Sequence, residues 1–204
     1  LPACIFQDEQ GRWRVDRALL PIEIEFSLDE ALAVHLATRM LATRTDRQNP
    51  HAASAIHKLS KATARMAPLI SRSLRLSADW IEEATLRDDL YRQALETLAR
   101  AWAESRKVRI LHRSMRTNEL AEFILKPYFI EPNAIGQSTY GIGPREPDDA
   151  LRTLKIERIE SVELLNERYD IPEEFDATSL LASAWGIWLS DHDPVEIQLR
   201  FSPK

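Results

Sequence analysis

Arg106-Lys-Val-Arg-Ile-Leu-His-Arg113 alternates as a strand does: Val108, Ile110 and His112 fall on one side, Arg109, Leu111 and Arg113 on the other. This octet is the hinge of the whole reading. Upstream of it the apolar residues recur at helical spacing, and downstream they alternate in short runs broken by Gly and Pro. Helices followed by strands predict an α+β chain.

Upstream, Ser27-Leu-Asp-Glu30 is a capping box, in which the Ser hydroxyl accepts an orphan N–H and Glu30 reaches back to the cap. It opens a helix to about Thr43, with Leu28, Leu32, Leu36 and Met40 along one side. Asn49-Pro50 is a second start, followed by Ala52, Ile56, Leu59 and Met66 until Pro68 stops the helix. A third helix over about Asp88–Ser105 has Tyr91, Leu95, Leu98 and Trp102 as its apolar face. Residues 11–25 are extended, with Trp13 and Val15 on one face.

Downstream, Phe123–Ile130 is β-rich, Arg152–Ile159 alternates, and Gly136, Gly141 and Gly143 cluster around Tyr140. Several short strands in so few residues predict a small antiparallel barrel. Asp170–Trp188 is expected to wrap back on it. Val195–Phe201 reads as an alternating strand with no partner after it, and the chain opens at Leu1 without a Met. Both ends therefore read as cuts in a longer protein.

The composition narrows the function. Net charge is −5, from 27 Lys+Arg against 32 Asp+Glu, which argues against a surface that coats nucleic acid throughout but leaves room for a local basic site. The single Cys4 can form neither an intrachain disulfide nor a thiolate metal site, which suits a reducing cytoplasm. No apolar run approaches the ~18 residues of a membrane span, and no signal peptide opens the chain. His51 and His57 are six apart, on different faces of a helix rather than at the i,i+4 spacing of a metal pair, and His35 stands apart. Asp191-His-Asp193 before Pro194 reads as a turn. There is no nucleophile elbow, and Gly141-Ile-Gly143 lacks the helix start and Lys of a phosphate loop. The adjacent acids Glu82-Glu83, Asp88-Asp89 and Glu173-Glu174 point apart. No catalytic residue, metal ligand or cofactor is expected, and the chain reads as a binding module rather than an enzyme.

Two basic features remain. Arg106, Lys107, Arg109, Arg113 and Arg116 lie within eleven residues with no acid between them, read either as a solvated strand face or as a binding stripe. In Arg152-Thr-Leu-Lys-Ile-Glu-Arg158, an unbroken strand would put both arginines on one side with Leu154 and Ile156 between them, a floor suited to phosphates flanked by stacked bases. A break before Arg158 would remove that argument and favour structural salt bridges.

Five stretches in order resemble the WYL-domain transcription regulators: Lys126-Pro-Tyr-Phe-Ile-Glu-Pro132, Ala134-Ile-Gly-Gln-Ser-Thr-Tyr-Gly-Ile-Gly143, Arg152-Thr-Leu-Lys-Ile-Glu-Arg-Ile159, Tyr169-Asp-Ile-Pro-Glu-Glu-Phe-Asp176 and Ala184-Trp-Gly-Ile187. The resemblance implies an Sm-like small antiparallel β-barrel after a helical linker. It implies a remnant of the wing or linker over 1–25, a helical linker and dimerisation unit over 26–105, the barrel over 106–172, and a connector with the first strand of a truncated C-terminal extension over 173–204. It further implies a homodimer that senses single-stranded DNA, an oligonucleotide or a nucleotide, and that meets promoter DNA only through an N-terminal winged helix-turn-helix not in this sequence. The implied ligand contacts are Ser114, Tyr140, Arg152 and Arg158, with His112 and Lys126 beside them. The sequence departs from the family's pattern at Thr139, Gly141, His112 and Phe123, the last where the family often has an Arg. A cyclic oligonucleotide effector, a purely structural dimerisation module and, from another class, a hydrolase or nuclease are the rival readings.

Overall fold

The computed structural model describes residues 5–7, 10–15, 24–85, 88–133, 135–182, 196 and 198–201. Two short strands, β1 (Ile5–Gln7) and β2 (Trp13–Val15), pair antiparallel with Ile5 opposite Val15. Four helices follow: α1 (Leu28–Ala42), α2 (Pro50–Thr63), α3 (Pro68–Thr85) and α4 (Asp89–Glu104). Then come β3 (Arg106–Arg113), β4 (Leu120–Leu125), β5 (Phe129–Asn133), β6 (Ser138–Glu146), β7 (Ala150–Lys155), a single 3-10 turn (Ile156–Arg158), β8 (Ile159–Arg168) and α5 (Ala177–Ala182).

The helix starts are those the caps specify. Glu30 N donates to Ser27 Oγ at 3.3 Å while Ser27 N donates to Glu30 Oε2 at 2.7 Å. His51 N donates to Asn49 Oδ1, and Tyr91 N to Asp88 Oδ1, each at 2.9 Å. Pro68 does more than stop α2: as the first residue of α3 it starts a helix that the sequence reading missed. The apolar signal there is split. Leu74, Ala78 and Ile81 are buried beside Ser77, whereas Leu69, Leu76 and Trp80 are exposed. Likewise α1 buries Ala31, His35 and Ala42 and leaves Leu36 and Met40 57% and 66% exposed, so the leucine–methionine side is not its core face.

Two apolar clusters result. Ala42, Ala53, Ile56, Leu74, Ala78 and Ile81 knit α1, α2 and α3. The hydroxyls of Ser60 and Ser71, each donating to the other's carbonyl (2.9 and 2.8 Å), tie α2 to α3. The second cluster joins α4 (Tyr91, Ala94, Leu95, Leu98, Ala101) to the sheet (Val108, Ile110, Leu125, Leu154, Ile156, Ile159).

The sheet is antiparallel, in the order β5-β6-β4-β3-β8, with β7 added to β6. It curls because β6 serves three partners in turn: Ser138–Ile142 with β5, Tyr140–Arg145 with β7, and Arg145–Glu146 with β4. The result is a half-barrel behind four helices, the α+β arrangement expected. At the β4–β5 corner the β-rich stretch Phe123–Ile130 breaks over residues 126–128, where Lys126 N donates to Pro144 O (3.0 Å) and Tyr128 N to Ile142 O (2.8 Å). Phe175 packs edge-on against Tyr128 with centroids 4.9 Å apart, and Tyr169 stacks on Tyr128 at 5.9 Å. The segment after β8 thus folds back over the corner, as expected of it. Ala184–Ile187 and Leu19–Glu23 lie outside the described residues. Gln198–Phe201 show no strand, so the alternation of Val195–Phe201 is not realised there.

Candidate functional site

A groove of about 530 Å3 opens on the half-barrel, within the usual range for a small-ligand site. β3 contributes His112, and the turn after it Ser114 and Arg116. β4 adds Phe123, β6 Tyr140 and Arg145, and β7 Arg152 and Lys155. Four of the six residues expected at the site therefore come together: His112, Ser114, Tyr140 and Arg152. Lys126 and Arg158 are not among its lining residues.

Arg158 is displaced by backbone geometry. β7 ends at Lys155, and residues 156–158 form a 3-10 turn. The chain is not a continuous strand across 152–158, and the same-face argument for the two arginines fails. Arg158 lies near His112, with its Nη1 buried and without a hydrogen-bond partner among the described residues. Lys126 turns to Asp149 at 2.7 Å and Glu146 at 3.7 Å, and the Asp149 carboxylate raises its pKa.

The cationic run on β3 resolves into ion pairs, with Arg106 and Lys107 largely covered. Its partners stand across the sheet and beside it: Arg109 pairs with Glu163, Arg113 with Glu160 (2.9 Å), Arg106 with Glu104 (2.8 Å) and Lys107 with Glu146 and Glu167 (2.7 and 2.9 Å). Arg116 alone of the five lines the groove.

Each wall has a local cause. Ser114 Oγ accepts from the backbone N–H of Arg116 (3.2 Å) and Thr117 (3.3 Å), fixing the turn while its own proton remains to donate. Tyr140 is only 3% exposed, and its hydroxyl occupies the space a Cβ on Gly136 would need, 2.5 Å from that point. Tyr140 is therefore mostly wall. Phe123 is the half-buried ring, with the Arg145 guanidinium 5.9 Å from its centroid.

Arg145, Phe123 and Lys155 were missing from the sequence reading as site residues, and Arg116 entered it only within the cationic run. The turn residues Pro147-Asp-Asp149 held the signal for Arg145. A hairpin folded there sets Gly143 opposite Arg152 and Arg145 opposite Ala150, making the two arginines diagonal neighbours on one face. Asp148 ties them: Arg145 Nε donates to it at 3.2 Å, Arg145 Nη2 also contacts it, and Arg152 Nη2 donates at 3.0 Å. The Arg145 guanidinium is the main reason the Asp148 carboxyl titrates as low as about 2. Lys155 pairs with Glu157 and lies 3.9 Å from Asp46 of the α1–α2 connection.

His112 is the buried titratable wall. Burial lowers its pKa, a hydrogen bond with the Lys155 backbone partly opposes this, and the Arg158 cation adds to the lowering. His35 is lowered as well, by burial and then by Arg39. The unfolded imidazoles take up protons first, near pH 6.5, so stability is full above neutrality and falls as pH drops toward the lower folded values. The urea midpoint should thus decrease between pH 7.5 and 5.5. His112→Gln and His35→Gln should each flatten that decrease, and an unchanged slope in both would refute this assignment.

His51 and His57 serve ion pairs, with Glu96 at 3.0 Å and with Asp79 and Glu82 at 3.4 and 3.6 Å. Among the described residues no three His, Cys, Asp or Glu side chains gather as a metal site, and no helix is long and apolar enough to cross a membrane.

The family model for the WYL domain matches residues 93–164, from within α4 to within β8. Among solved structures, the chain is similar to the proteasome accessory factor B/C (PafBC) of Arthrobacter aurescens at 17% identity, with a TM-score of 0.35, over 60% of this chain. It spans 21% of that longer chain. No curated protein matches it. The last three turns of α4 and the curled sheet through most of β8 are thus the part of this chain that matches a WYL domain.

Proposed function

We propose that the chain is the effector-sensing region of a transcription regulator, and that the groove takes a short single-stranded nucleic acid. The observation that carries this reading is the cluster of Arg145, Arg152, Arg116 and Lys155 around the half-buried ring of Phe123, within a chain of net negative charge. Guanidiniums suit phosphates, and a ring among them suits a base. The hydroxyl of Ser114 and the Tyr140 wall complete the groove; His112 shapes its floor, and Arg158 and Lys126 act from outside it. The volume suits one or two nucleotides, which supports a nucleotide or cyclic oligonucleotide as the second reading.

The signal leaves through the helices. Asp46, in the α1–α2 connection, donates its backbone N–H to Gln137 O at 2.6 Å, and its carboxylate faces Lys155. Gln137 precedes β6 by one residue, so a ligand that moves Tyr140 or Lys155 bears directly on the helical unit. In the full regulator that unit links to a DNA-binding domain and works as a cytoplasmic homodimer.

Fluorescence anisotropy with a labelled oligothymidylate tests the ligand. Binding is expected at low salt and should weaken steeply as salt rises. Arg152→Ala should cost about tenfold, and Phe123→Ala between about fivefold and a hundredfold, the range for one lost base stack. Absence of binding at low salt, or indifference to both substitutions, would overturn the reading, and competition by mononucleotides separates the two ligand classes.

A further inference from the structure

The groove's two best-placed cations are not vacant. Asp148 Oδ2 accepts from both guanidiniums, from Arg152 at 3.0 Å and from Arg145 more closely, and Oδ1 takes the Nε of Arg145 at 3.2 Å. One oxygen shared by two guanidiniums, with its neighbour completing a fork, is the arrangement a bound phosphate would adopt. We propose that Asp148 is a built-in occupant of the groove's anion site, an internal carboxylate that a phosphate group of the ligand must displace.

The setting fits displacement. Asp148 belongs to the exposed turn of residues 147–149 between β6 and β7, so its carboxylate can swing away without uncovering core. Arg145 is held otherwise by the Phe123 ring, and Arg152 by its place on β7, so the cations stay when the carboxylate leaves.

The exchange has a consequence for selectivity. A phosphodiester replaces one negative charge with another, so a bare small anion gains little over what Asp148 already supplies. A ligand gains only by also using Phe123, Ser114 and the groove wall. Asp148 therefore tunes the site against inorganic anions and toward ligands that carry a base. This rests on the proposed nucleic-acid reading for the ligand's identity, though not for the anion site itself.

Asp148→Asn keeps the shape and removes the charge. It should bind the labelled oligothymidylate roughly tenfold more tightly than wild type, of the order expected for freeing two guanidiniums from a partly exposed carboxylate. Asp149→Asn is the control for net charge, because Asp149 pairs with Lys126 outside the groove; it should change affinity by no more than about twofold. The gain should shrink in Asp148→Asn combined with Arg145→Ala, and vanish when Arg152→Ala is added to both. An affinity in Asp148→Asn equal to or below wild type would mean the carboxylate merely positions the arginines. An equal gain in Asp149→Asn would reduce the effect to a general field. Either result overturns the proposal, and Asp148→Ala, checked for fold by circular dichroism, replaces the Asn variant if that one misfolds. If no version of the protein binds the oligonucleotide, the proposed function falls and pyrophosphate decides the inference. A larger rise in melting temperature with pyrophosphate in Asp148→Asn than in wild type supports displacement, and an equal response overturns it.

Discussion

Gly143→Ala is expected to destabilise the protein by about 3–5 kcal/mol, at the upper end of single substitutions. A Cβ at this position would stand 1.9 Å from the carbonyl oxygen of Lys126, 2.9 Å from its carbon and 3.1 Å from the nitrogen of Tyr128. All three are backbone atoms, so no side-chain rotation relieves the clash. The contact is close because β6 crosses the 126–128 corner there, pinned by the hydrogen bonds Lys126 N to Pro144 O and Tyr128 N to Ile142 O on either side of Gly143. Making room for one methyl group means opening both, at about 1 kcal/mol each, plus loosening what the corner holds. The Tyr169 hydroxyl donates to the Pro127 carbonyl, and Phe175 packs on Tyr128, so the return segment is loosened with it. Gly141→Ala supplies the contrast. Its Cβ would meet only the end of the Leu98 side chain, at 3.4 Å, and should cost no more than about 1 kcal/mol. Urea midpoints of the two variants measure the difference; equal losses would show that the crossing at residue 143 is not what closes the half-barrel.

These two glycines also show what the sequence made legible. Their clustering around Tyr140 was visible, though not that Gly143 alone of the two meets a backbone. That depends on a contact between residues 126 and 144, and alternation along one strand has no information about its neighbour. The caps at Ser27 and Asn49 were readable because each is a local hydrogen bond within a few residues. Helix α3 was not, because its buried face mixes Ser77 and Ala78 with Leu74 while leucines and a tryptophan face outward. The candidate site divides the same way. Tyr140, Arg152, Ser114 and His112 followed from motif order and meet in one groove. Arg145 enters only through the β6–β7 pairing, and Arg158 leaves because β7 breaks into a 3-10 turn after Lys155. The acids that neutralise the β3 cations lie on other elements, chiefly β8, some fifty or more residues further along, so the run looked unpaired when read as a string.

Leu98→Ala is expected to cost about 3–4 kcal/mol, within the range for emptying a fully buried leucine site, while Trp102→Ala should cost about 1 kcal/mol or less. By periodicity the two residues belong to one apolar stripe with Tyr91 and Leu95. The structure separates them: Leu98 is 0% exposed and Trp102 41%. Ala94 and Ala101 are the residues that complete the stripe against the sheet, and their small side chains let α4 approach it closely. Leu98 lies at the centre of this contact, over the glycine of β6 that follows Tyr140. A cavity there would have α4 on one side and Val108, Ile110, Leu125 and Leu154 in the cluster around it, and two regular elements cannot collapse to fill it. The loss should therefore appear in the whole cooperative transition of the sheet, not as fraying of a peripheral helix. Thermal unfolding followed both by the helical far-UV circular dichroism signal and by the infrared amide I band of the sheet distinguishes the cases. Coincident transitions shifted to lower temperature are expected for Leu98→Ala. A wild-type sheet transition with only helical signal lost would mean that α4 is an attachment to the half-barrel and not a wall of its core.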